Sequence, residues 1–405
     1  MRKIFATLLV VLFLLSACNS TELQESEGSL DGDSEGVESI DLLESADENT
    51  SVAEGGSSIV MQESSDVEEK PQTKGEELTA TLTLEEKVGQ LFLAAYPDVN
   101  QESYINDYKL GGFIMFGREF KNNTPEGVRT TIENLQKQAR IPLLFAVDEE
   151  GGSVCRVSAY TQYREKRFYS PRYLYSHGGI DAIAESEKEK CALLSSLGIN
   201  VNMAPVCDIT TDKDAFMYSR SLGQDAETTA EFVEAVIDIT DGYKIGNVLK
   251  HFPGYSNNKD THTGIAYDKR SLEELESVDM IPFKAGADAG CGAILVSHTV
   301  IECLDGDFPA SLSPKVNEYI RNTLGYDGVV LTDDLSMGAI TEKYGDGEAA
   351  VLAVLAGNDL ICLTNLKAAY TAVLEAVKDE RISEERIDEA CARVLDWKYK
   401  LGLLD

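Results

Sequence analysis

The sequence is poor in several residue types that mark particular classes of protein. Its 405 residues include 36 lysines and arginines against 70 aspartates and glutamates, and the formal net charge is −34. No long basic run is present, which excludes the usual electrostatic signature of nucleic-acid binding and of adsorption to anionic lipid headgroups. Histidine occurs only 4 times, so any clustering of these histidines is informative.

The 8 cysteines also lack the patterns that disulfides and zinc sites require. Cys18 stands in an N-terminal context of its own, and the remaining number is odd, which argues against a complete disulfide framework. No CxxC or CxxH spacing suggests zinc, and no Gly-rich phosphate loop is present. We therefore predict no metal and no cofactor. Cys155, Cys207 and Cys362 fall in or beside apolar segments, and we interpret them as small buried hydrophobic residues.

Residues 1–17 have the three parts of a secretory signal peptide. A basic start precedes an almost wholly apolar run, and small residues lie before Cys18. The apolar run is too short to span a bilayer as a mature helix. Leu15-Ser16-Ala17-Cys18 resembles the lipobox of bacterial lipoproteins, and the alternative is an ordinary signal peptide with a chance cysteine. The resemblance implies export and a lipid on Cys18, which anchors the protein to the outer face of the cytoplasmic membrane or to the periplasmic side of an envelope membrane.

The segment from residue 18 to residue 77 is predicted as a disordered acidic linker. Between residues 19 and 77 there are 18 acidic residues, 2 lysines and no aromatic residue. Such a composition buries too little apolar surface to offset chain entropy. As a flexible coil the segment would span roughly 40–45 Å r.m.s., and we interpret it as a solvated spacer with no ligand of its own.

Residues 78–405 are predicted to form one α/β domain. Thr83 to Glu86 fits a capping box at the start of a helix, and eight apolar runs then alternate with helix-length segments. The runs are Gln90–Tyr96, Gly112–Gly117, Leu143–Asp148, Val201–Asp208, Asn247–Phe252, Ala293–His298, Gly328–Asp333 and Asp359–Leu363. Most are continuous, as buried parallel strands require, and eight such units predict a (β/α)8 barrel, with a doubly wound open sheet as the alternative. The segment Ser383–Leu401 has helical spacing and is expected to pack outside the barrel.

In such a barrel the functional residues lie at the carboxyl ends of the strands. Polar side chains cluster at these positions, and three of the 4 histidines are among them. They are Asp148, Glu149, Glu150, Asp208, Arg220, Lys250, His251, Asp260, His262, Ser297, His298, Asp333 and Asp334. Carboxylates, imidazoles and cations around one pocket suit a polyhydroxylated substrate, because they make charge-assisted hydrogen bonds to hydroxyls. A metal site of His251, His262 and Asp260 is the alternative, although the neighbouring lysine would repel a cation.

Several segments occur in an order that resembles one enzyme family. They are "EEKVGQLFL", "VDEEGGSVCR", "NMAPVCDI", "SRSLG", "KHFPG", "DTH" and "GVVLTDDLSMGAI". This order resembles glycoside hydrolase family 3, in its single-domain β-N-acetylglucosaminidase (β-hexosaminidase) branch, from about residue 83 to the end of the chain. The resemblance implies a barrel enzyme that removes terminal, non-reducing β-linked N-acetylglucosamine (GlcNAc), with net retention, from peptidoglycan fragments or chitooligosaccharides.

The same resemblance implies roles for individual residues. Asp333, the first acid of "TDD", matches the nucleophile, and His262, held by Asp260, matches the general acid/base of this branch. An imidazole that titrates near neutrality can donate a proton and then take one back. The residues implied to bind the sugar are Asp148, Arg220, Lys250, His251, His298 and Met337.

Other polar residues have structural interpretations that compete with a role in the site. Asp334 is expected to be structural and to cap the following helix, and Asp208 either caps the end of a strand or contributes to the site. Glu149 and Glu150 either shape the turn before the glycine pair that follows them or contribute to the site. His177, in a tyrosine-rich segment away from the rim, is expected on the surface.

The sequence also departs from the family pattern and leaves rival functions open. Tyr255 stands where a histidine is usual, Ser153 stands where an arginine is usual, and the segment from Tyr255 to Asp260 is about one residue shorter than usual. The rivals are a β-N-acetylglucosaminide phosphorylase, a β-glucosidase or β-xylosidase, and an inactive glycan-binding lipoprotein. The expected partner is a GlcNAc-containing glycan, with membrane contact through the lipid alone, and the sequence makes no prediction of oligomeric state.

Overall fold

The structure, a computed structural model, describes residues 72–255 and 265–405. The signal peptide, Cys18 and most of the predicted linker lie outside the described residues. The described chain begins with two short helices, α1 (Lys74–Thr79) and α2 (Leu84–Gln90), and each starts with a capping box. Helix α1 packs against the last helix, α14 (Glu384–Lys400), and the Gly75 amide donates to Asp396 Oδ1 over 2.7 Å. Folded structure therefore begins before residue 78, which corrects the predicted boundary between linker and domain.

Eight parallel strands follow the eight predicted apolar runs. They are β1 (Phe92–Ala95), β2 (Gly112–Met115), β3 (Leu144–Val147), β4 (Val201–Asn202), β5 (Gly246–Phe252), β6 (Ala293–Val296), β7 (Val329–Thr332) and β8 (Ile361–Leu363). The first run begins two residues later than predicted, because Gln90 ends α2. The remaining helices are α3 (Gln101–Tyr108), α4 (Gly117–Lys121), α5 (Pro125–Gln138), α6 (Pro171–Leu197), α7 (Ala226–Tyr243), α8 (Leu272–Ser277), α9 (Met280–Asp288), α10 (Pro314–Glu318), α11 (Gly338–Tyr344), α12 (Asp346–Ala356) and α13 (Leu366–Lys378).

The sheet closes into a barrel. The strands neighbour one another in the order of the chain, and β1 also pairs with β8, where Phe92 lies opposite Ile361. The last gap, between β7 and β8, is closed by a parallel bridge from Leu331 to Leu360 and by a hydrogen bond of 3.1 Å from the Thr332 amide to the Leu360 carbonyl. The predicted (β/α)8 barrel is confirmed, and the open doubly wound sheet is excluded.

Apolar side chains fill the barrel interior, and the last helix contributes to this core. Leu93, Ile114, Leu144, Ala146, Val248, Leu295 and Leu331 point inward and pack with Val394, Trp397 and Leu401. Two glycines at the amino ends of strands make room for the indole: a Cβ at Gly246 would lie 2.7 Å from the Trp397 ring, and one at Gly292 would lie 2.4 Å from Trp397 Nε1. Helix α14 therefore closes the bottom of the barrel as well as packing outside it, which corrects the expectation of an external helix.

The described cysteines are all free thiols, and only Cys303 is exposed. Cys155, Cys207 and Cys362 are buried, as predicted. Within residues 72–255 and 265–405, no helix has both the length and the apolar character needed to cross a bilayer.

Candidate active site

The proposed site residues that the structure describes come together at the carboxyl ends of the strands. Asp148 directly follows β3, and Asp333 directly follows β7. Lys250 and His251 lie at the carboxyl end of β5. Because parallel strands present the same end on one face of a barrel, three separate parts of the sequence contribute to one surface.

A network of buried charges forms the centre of this surface. Lys250 Nζ lies 2.8 Å from Asp148 Oδ1 and 2.7 Å from Glu150 Oε1. Arg220 binds the same Glu150 carboxylate with two donors, Nε at 2.9 Å and Nη2 at 2.7 Å. The side chains of Lys250 and Glu150 are only 3% and 2% exposed, so water screens these attractions weakly. Two cations and two carboxylates are thus held in fixed positions beside one another.

The mutual attraction of these groups keeps them ionised in spite of burial. Burial disfavours the charged form of Asp148, but the positive charges of Lys250 and Arg156 outweigh it and hold the pKa of Asp148 below its usual value. The same balance, set by Lys250 and Arg220, places the pKa of Glu150 well below its usual value. Burial likewise opposes the charged form of Lys250, and the two carboxylates raise its pKa above the ordinary value. At neutral pH the site therefore presents permanent charges to the hydroxyls of a ligand.

His251 is held in one orientation and one tautomer. Its Nδ1 lies 2.8 Å from Asp208 Oδ2, and its Nε2 lies 3.2 Å from Arg220 Nη2. A guanidinium can only donate, so Nε2 accepts and the ring hydrogen is on Nδ1, where it donates to Asp208. The second oxygen of Asp208 accepts the amide of Tyr255 over 2.7 Å. Asp208 therefore does more than cap the end of a strand, since it fixes a site imidazole and the backbone after β5.

Asp333 is a carboxylate at the end of β7. Its amide donates to the Val296 carbonyl over 3.0 Å, and its Oδ1 accepts the Asp334 amide over 2.9 Å. Burial would raise the pKa of Asp333, but the nearby imidazoles of His298 and His251 and the hydrogen bond from Asp334 hold this pKa below its usual value. The group is therefore an anion at neutral pH, as a nucleophile requires.

His298 lies near this carboxylate. Its side chain is fully buried, with Nδ1 2.7 Å from Ser311 Oγ and Nε2 2.9 Å from the Asp334 carbonyl oxygen. Both nitrogens therefore have partners within the protein, and the place of His298 beside the pocket stays a prediction. Met337 is 8% exposed and its amide donates to the same carbonyl over 3.0 Å, directly before α11. Asp334 Oδ1 accepts the Ser336 amide over 2.8 Å, so it closes a turn before the helix and does not cap the helix itself.

The sequence left the roles of two neighbouring carboxylates, Glu149 and Glu150, undecided. Glu149 is fully buried and accepts the amides of Arg156 and Val157 over 2.8 and 2.7 Å, so it shapes the hairpin of Glu149–Gly151 and Val154–Cys155. Glu150 instead joins the charge network. The hairpin returns the chain so that Arg156 Nη2 lies 3.4 Å from Asp148 Oδ2. The glycine pair at the end of the first of these strands, with φ of +103° and +64°, is the sequence signal for this reversal.

Two of the predicted catalytic residues lie outside the described part of the chain. Asp260 and His262 belong to residues 256–264, which follow Tyr255 and precede a short strand pair of Tyr267–Asp268 and Val300–Ile301. His177 is an exposed residue on α6, with its ring stacked on Tyr173 at a centroid distance of 3.9 Å. It lies on the surface, as expected.

Comparison with known proteins agrees with this geometry. Residues 83–397 match the model of the glycosyl hydrolase family 3 N-terminal domain. A beta-hexosaminidase of Alkalilimnicola ehrlichii is 32% identical over 297 residues, which are 69% of this chain and 81% of that protein. An uncharacterised secreted glycosyl hydrolase of Arthroderma benhamiae is 26% identical over 335 residues, which are 78% of this chain and 93% of that protein.

A solved structure extends the likeness to the fold. The family 3 β-N-acetylglucosaminidase from Paenibacillus sp. str. FPU-7 is 33% identical, with a TM-score of 0.75 over 80% of this chain. This chain covers 63% of the length of that protein. The family model spans almost all of the described residues, and the buried carboxylate of Glu150 lies between Lys250 and Arg220 on the rim. The chain therefore belongs to glycosyl hydrolase family 3, a family of glycosidases.

Proposed function

We propose that the protein is a retaining exo-β-N-acetylglucosaminidase that releases terminal, non-reducing β-linked GlcNAc from peptidoglycan fragments or chitooligosaccharides. The observation that carries the proposal is the anionic Asp333 at the end of β7, on the rim that also holds Asp148, Lys250 and Arg220. The relatives named as beta-hexosaminidase and β-N-acetylglucosaminidase support the choice of sugar.

In the first chemical step, Asp333 attacks the anomeric carbon and the bond from that carbon to the leaving oxygen breaks. His262, oriented by Asp260, donates a proton to the leaving oxygen; both residues lie outside the described part of the chain and take these roles from their match to the family pattern. In the second step, His262 removes a proton from water, and the oxygen of that water displaces Asp333. Two inversions at one carbon give net retention.

Sugar recognition falls to the charge network. Asp148 offers acceptors, while Lys250 and Arg220 offer donors, and each makes strong charge-assisted bonds to hydroxyls in a site screened from water. His251 contributes through Arg220, because its Nε2 accepts from Arg220 Nη2 and so helps to orient the guanidinium toward the sugar. Met337 borders the turn after Asp333 and supplies an apolar surface for the ring. His298 acts on Asp333 through the backbone of Asp334.

We further propose that the chain is exported and anchored through a lipid on Cys18, with residues 19–71 as an acidic tether. The signal-like residues 1–17 and the secreted family member support export. A tether would let the barrel reach wall fragments at a distance from the membrane, and contact with the membrane would be made by the lipid alone.

The proposal is tested with the mature chain on chromogenic β-GlcNAc and β-glucoside substrates. Wild-type protein should release the aryl group from the β-GlcNAc substrate, and Asp333→Asn should lose at least about 1,000-fold in kcat, because no covalent intermediate can form. Asp327→Asn, an exposed residue before the same strand, is the matched control and should keep full activity.

The product identifies the reaction. Proton NMR early in turnover should show the β-anomer of free GlcNAc. Preference for the glucoside would overturn the sugar assignment, and GlcNAc 1-phosphate formed in phosphate buffer would identify a phosphorylase. Binding of GlcNAc oligosaccharides without turnover would favour an inactive glycan-binding protein, and full activity in Asp333→Asn would refute the assigned nucleophile.

A further inference from the structure

The peptide that follows the nucleophile is held from three directions. The Asp334 amide donates to Asp333 Oδ1 over 2.9 Å. The carbonyl of the same residue accepts the Met337 amide over 3.0 Å and faces His298 Nε2 at 2.9 Å. Because a carbonyl oxygen can only accept, Nε2 carries the hydrogen and donates it. His298, in the loop after β6, thus holds Asp334, and the Asp334 amide orients the Asp333 carboxylate.

The His298 ring is itself fixed by the framework of the barrel. Its Nδ1 lies 2.7 Å from Ser311 Oγ, and both side chains are fully buried. The Ser311 amide donates to the Ser297 carbonyl over 3.0 Å, and its carbonyl accepts Asn358 Nδ2 over 2.8 Å. Ser311 is therefore held on two sides, and it gives the imidazole a single orientation. This linkage connects the loop after β6 and the end of α12 to the turn after β7.

We infer that His298 is a positioning residue for the nucleophile: its bond to the Asp334 carbonyl fixes the turn that binds Asp333 Oδ1 and so presents Oδ2 as the attacking oxygen. This inference rests on the proposed role of Asp333. Within residues 72–255 and 265–405, no hydrogen bond engages Oδ2, whereas Oδ1 is committed to a backbone amide. A retaining displacement needs one carboxylate oxygen in line with the leaving group, and an error of about 1 Å in such a position costs on the order of 100-fold in rate.

Two conservative substitutions of His298 are expected to differ in their effect if the inference is right. In His298→Gln the amide nitrogen reaches about as far as Nε2, so the bond to the Asp334 carbonyl can be kept. In His298→Asn the shorter amide reaches only the position of Nδ1, so contact with Ser311 can be kept while the carbonyl is released. His177→Gln, on the exposed surface of α6, is the control for a histidine replaced elsewhere.

The measurement is the rate at which an activated 5-fluoro-GlcNAc fluoride labels Asp333, followed by mass spectrometry of the labelled peptide, together with kcat and KM on an aryl β-GlcNAc substrate. We expect His298→Asn to slow labelling and kcat by on the order of 100-fold with little change in KM. His298→Gln should recover to within about 10-fold of wild type, and the control should equal wild type. Melting temperatures show that each variant is folded at the assay temperature.

The other possible results distinguish a failure of this inference from a failure of the proposed function. Equal losses in His298→Gln and His298→Asn would overturn the inference, because the carbonyl contact would then not be the cause. A raised KM with unchanged kcat would also overturn it and would make His298 a sugar contact. If wild-type protein is labelled at a residue other than Asp333, or is not labelled at all, the proposed function fails instead, which separates the two conclusions.

Discussion

Replacement of Glu150 by glutamine tests the buried charge network most directly. Glu150 Oε1 lies 2.7 Å from both Arg220 Nη2 and Lys250 Nζ, and its side chain is 2% exposed. The substitution keeps the shape and removes the charge, so two buried cations are left with only Asp148 between them. Removing one partner of a buried ion pair costs about 3–5 kcal/mol, because the remaining charges are uncompensated. We expect a loss of this size in the free energy of unfolding.

The only tryptophan of the chain makes a convenient probe. Trp397 is 5% exposed and lies at the opposite end of the barrel, so its fluorescence reports global unfolding in urea without direct influence from the substitution. The matched control is Glu185→Gln, whose ion pair with Lys188 spans 2.8 Å on the surface, where water and salt screen it. A loss in Glu150→Gln no larger than that of the control would refute the reasoning.

The pH dependence provides a second test of the same residue. The folded-state pKa of Glu150 lies well below the ordinary value of 4.5, because Lys250 and Arg220 outweigh burial. On acidification the Glu150 carboxylate therefore takes up a proton in the unfolded chain before it does so in the folded chain. The stabilisation of the fold by Glu150 is present in full above about pH 5 and is lost as the pH falls toward the folded-state pKa. The difference in unfolding free energy between wild type and Glu150→Gln should be constant from pH 6 to 8 and should shrink below the ordinary pKa. A difference that grows on acidification would contradict the assigned ion pairs.

The remaining predictions concern residues at the two ends of the barrel. Asp208→Asn should reduce kcat/KM by on the order of 10-fold, because an amide no longer requires the hydrogen of His251 to be on Nδ1. Asp212→Asn, at an exposed position, is the control. Equal kinetics for both variants would disprove the argument about the tautomer of His251. Lys398 is fully buried against Gln90 Oε1 and the Gly111 carbonyl, and burial lowers its pKa to about 7. The folded chain therefore holds fewer protons than the unfolded chain above this pKa, so stability should rise between pH 7 and 10 by up to about 1.4 kcal/mol per pH unit. Urea titrations of Lys398→Met should lack this rise, and an unchanged pH slope would count against a neutral amine.

The barrel could be predicted from the sequence because its strands are buried on both faces. A buried parallel strand needs a continuous apolar run, and such runs are visible without knowledge of their partners. The alternation inside β3, where Leu144 and Ala146 face the interior and Phe145 faces the helices, involves apolar residues on both sides. That is why the strand positions were predicted well and the direction of each side chain was not.

The charged residues of the rim were harder to assign individually. Glu149 and Glu150 are adjacent and identical in type, yet one binds backbone amides of the hairpin and the other binds two cations. Their difference arises from the direction in which each side chain leaves the strand and from Arg220, which is 70 residues away. His298 shows the same limit, because its partners Ser311 and Asp334 come from separate parts of the chain. The position of a residue in the sequence indicates which end of a strand it occupies, but not which residues form its hydrogen bonds and ion pairs.

The indole at the bottom of the barrel has a consequence for the order of events in biosynthesis. Trp397 is on α14, and the same helix packs against α1 from the beginning of the described residues. The interior of the barrel therefore stays incomplete until α14 has been synthesised and has packed against the strands.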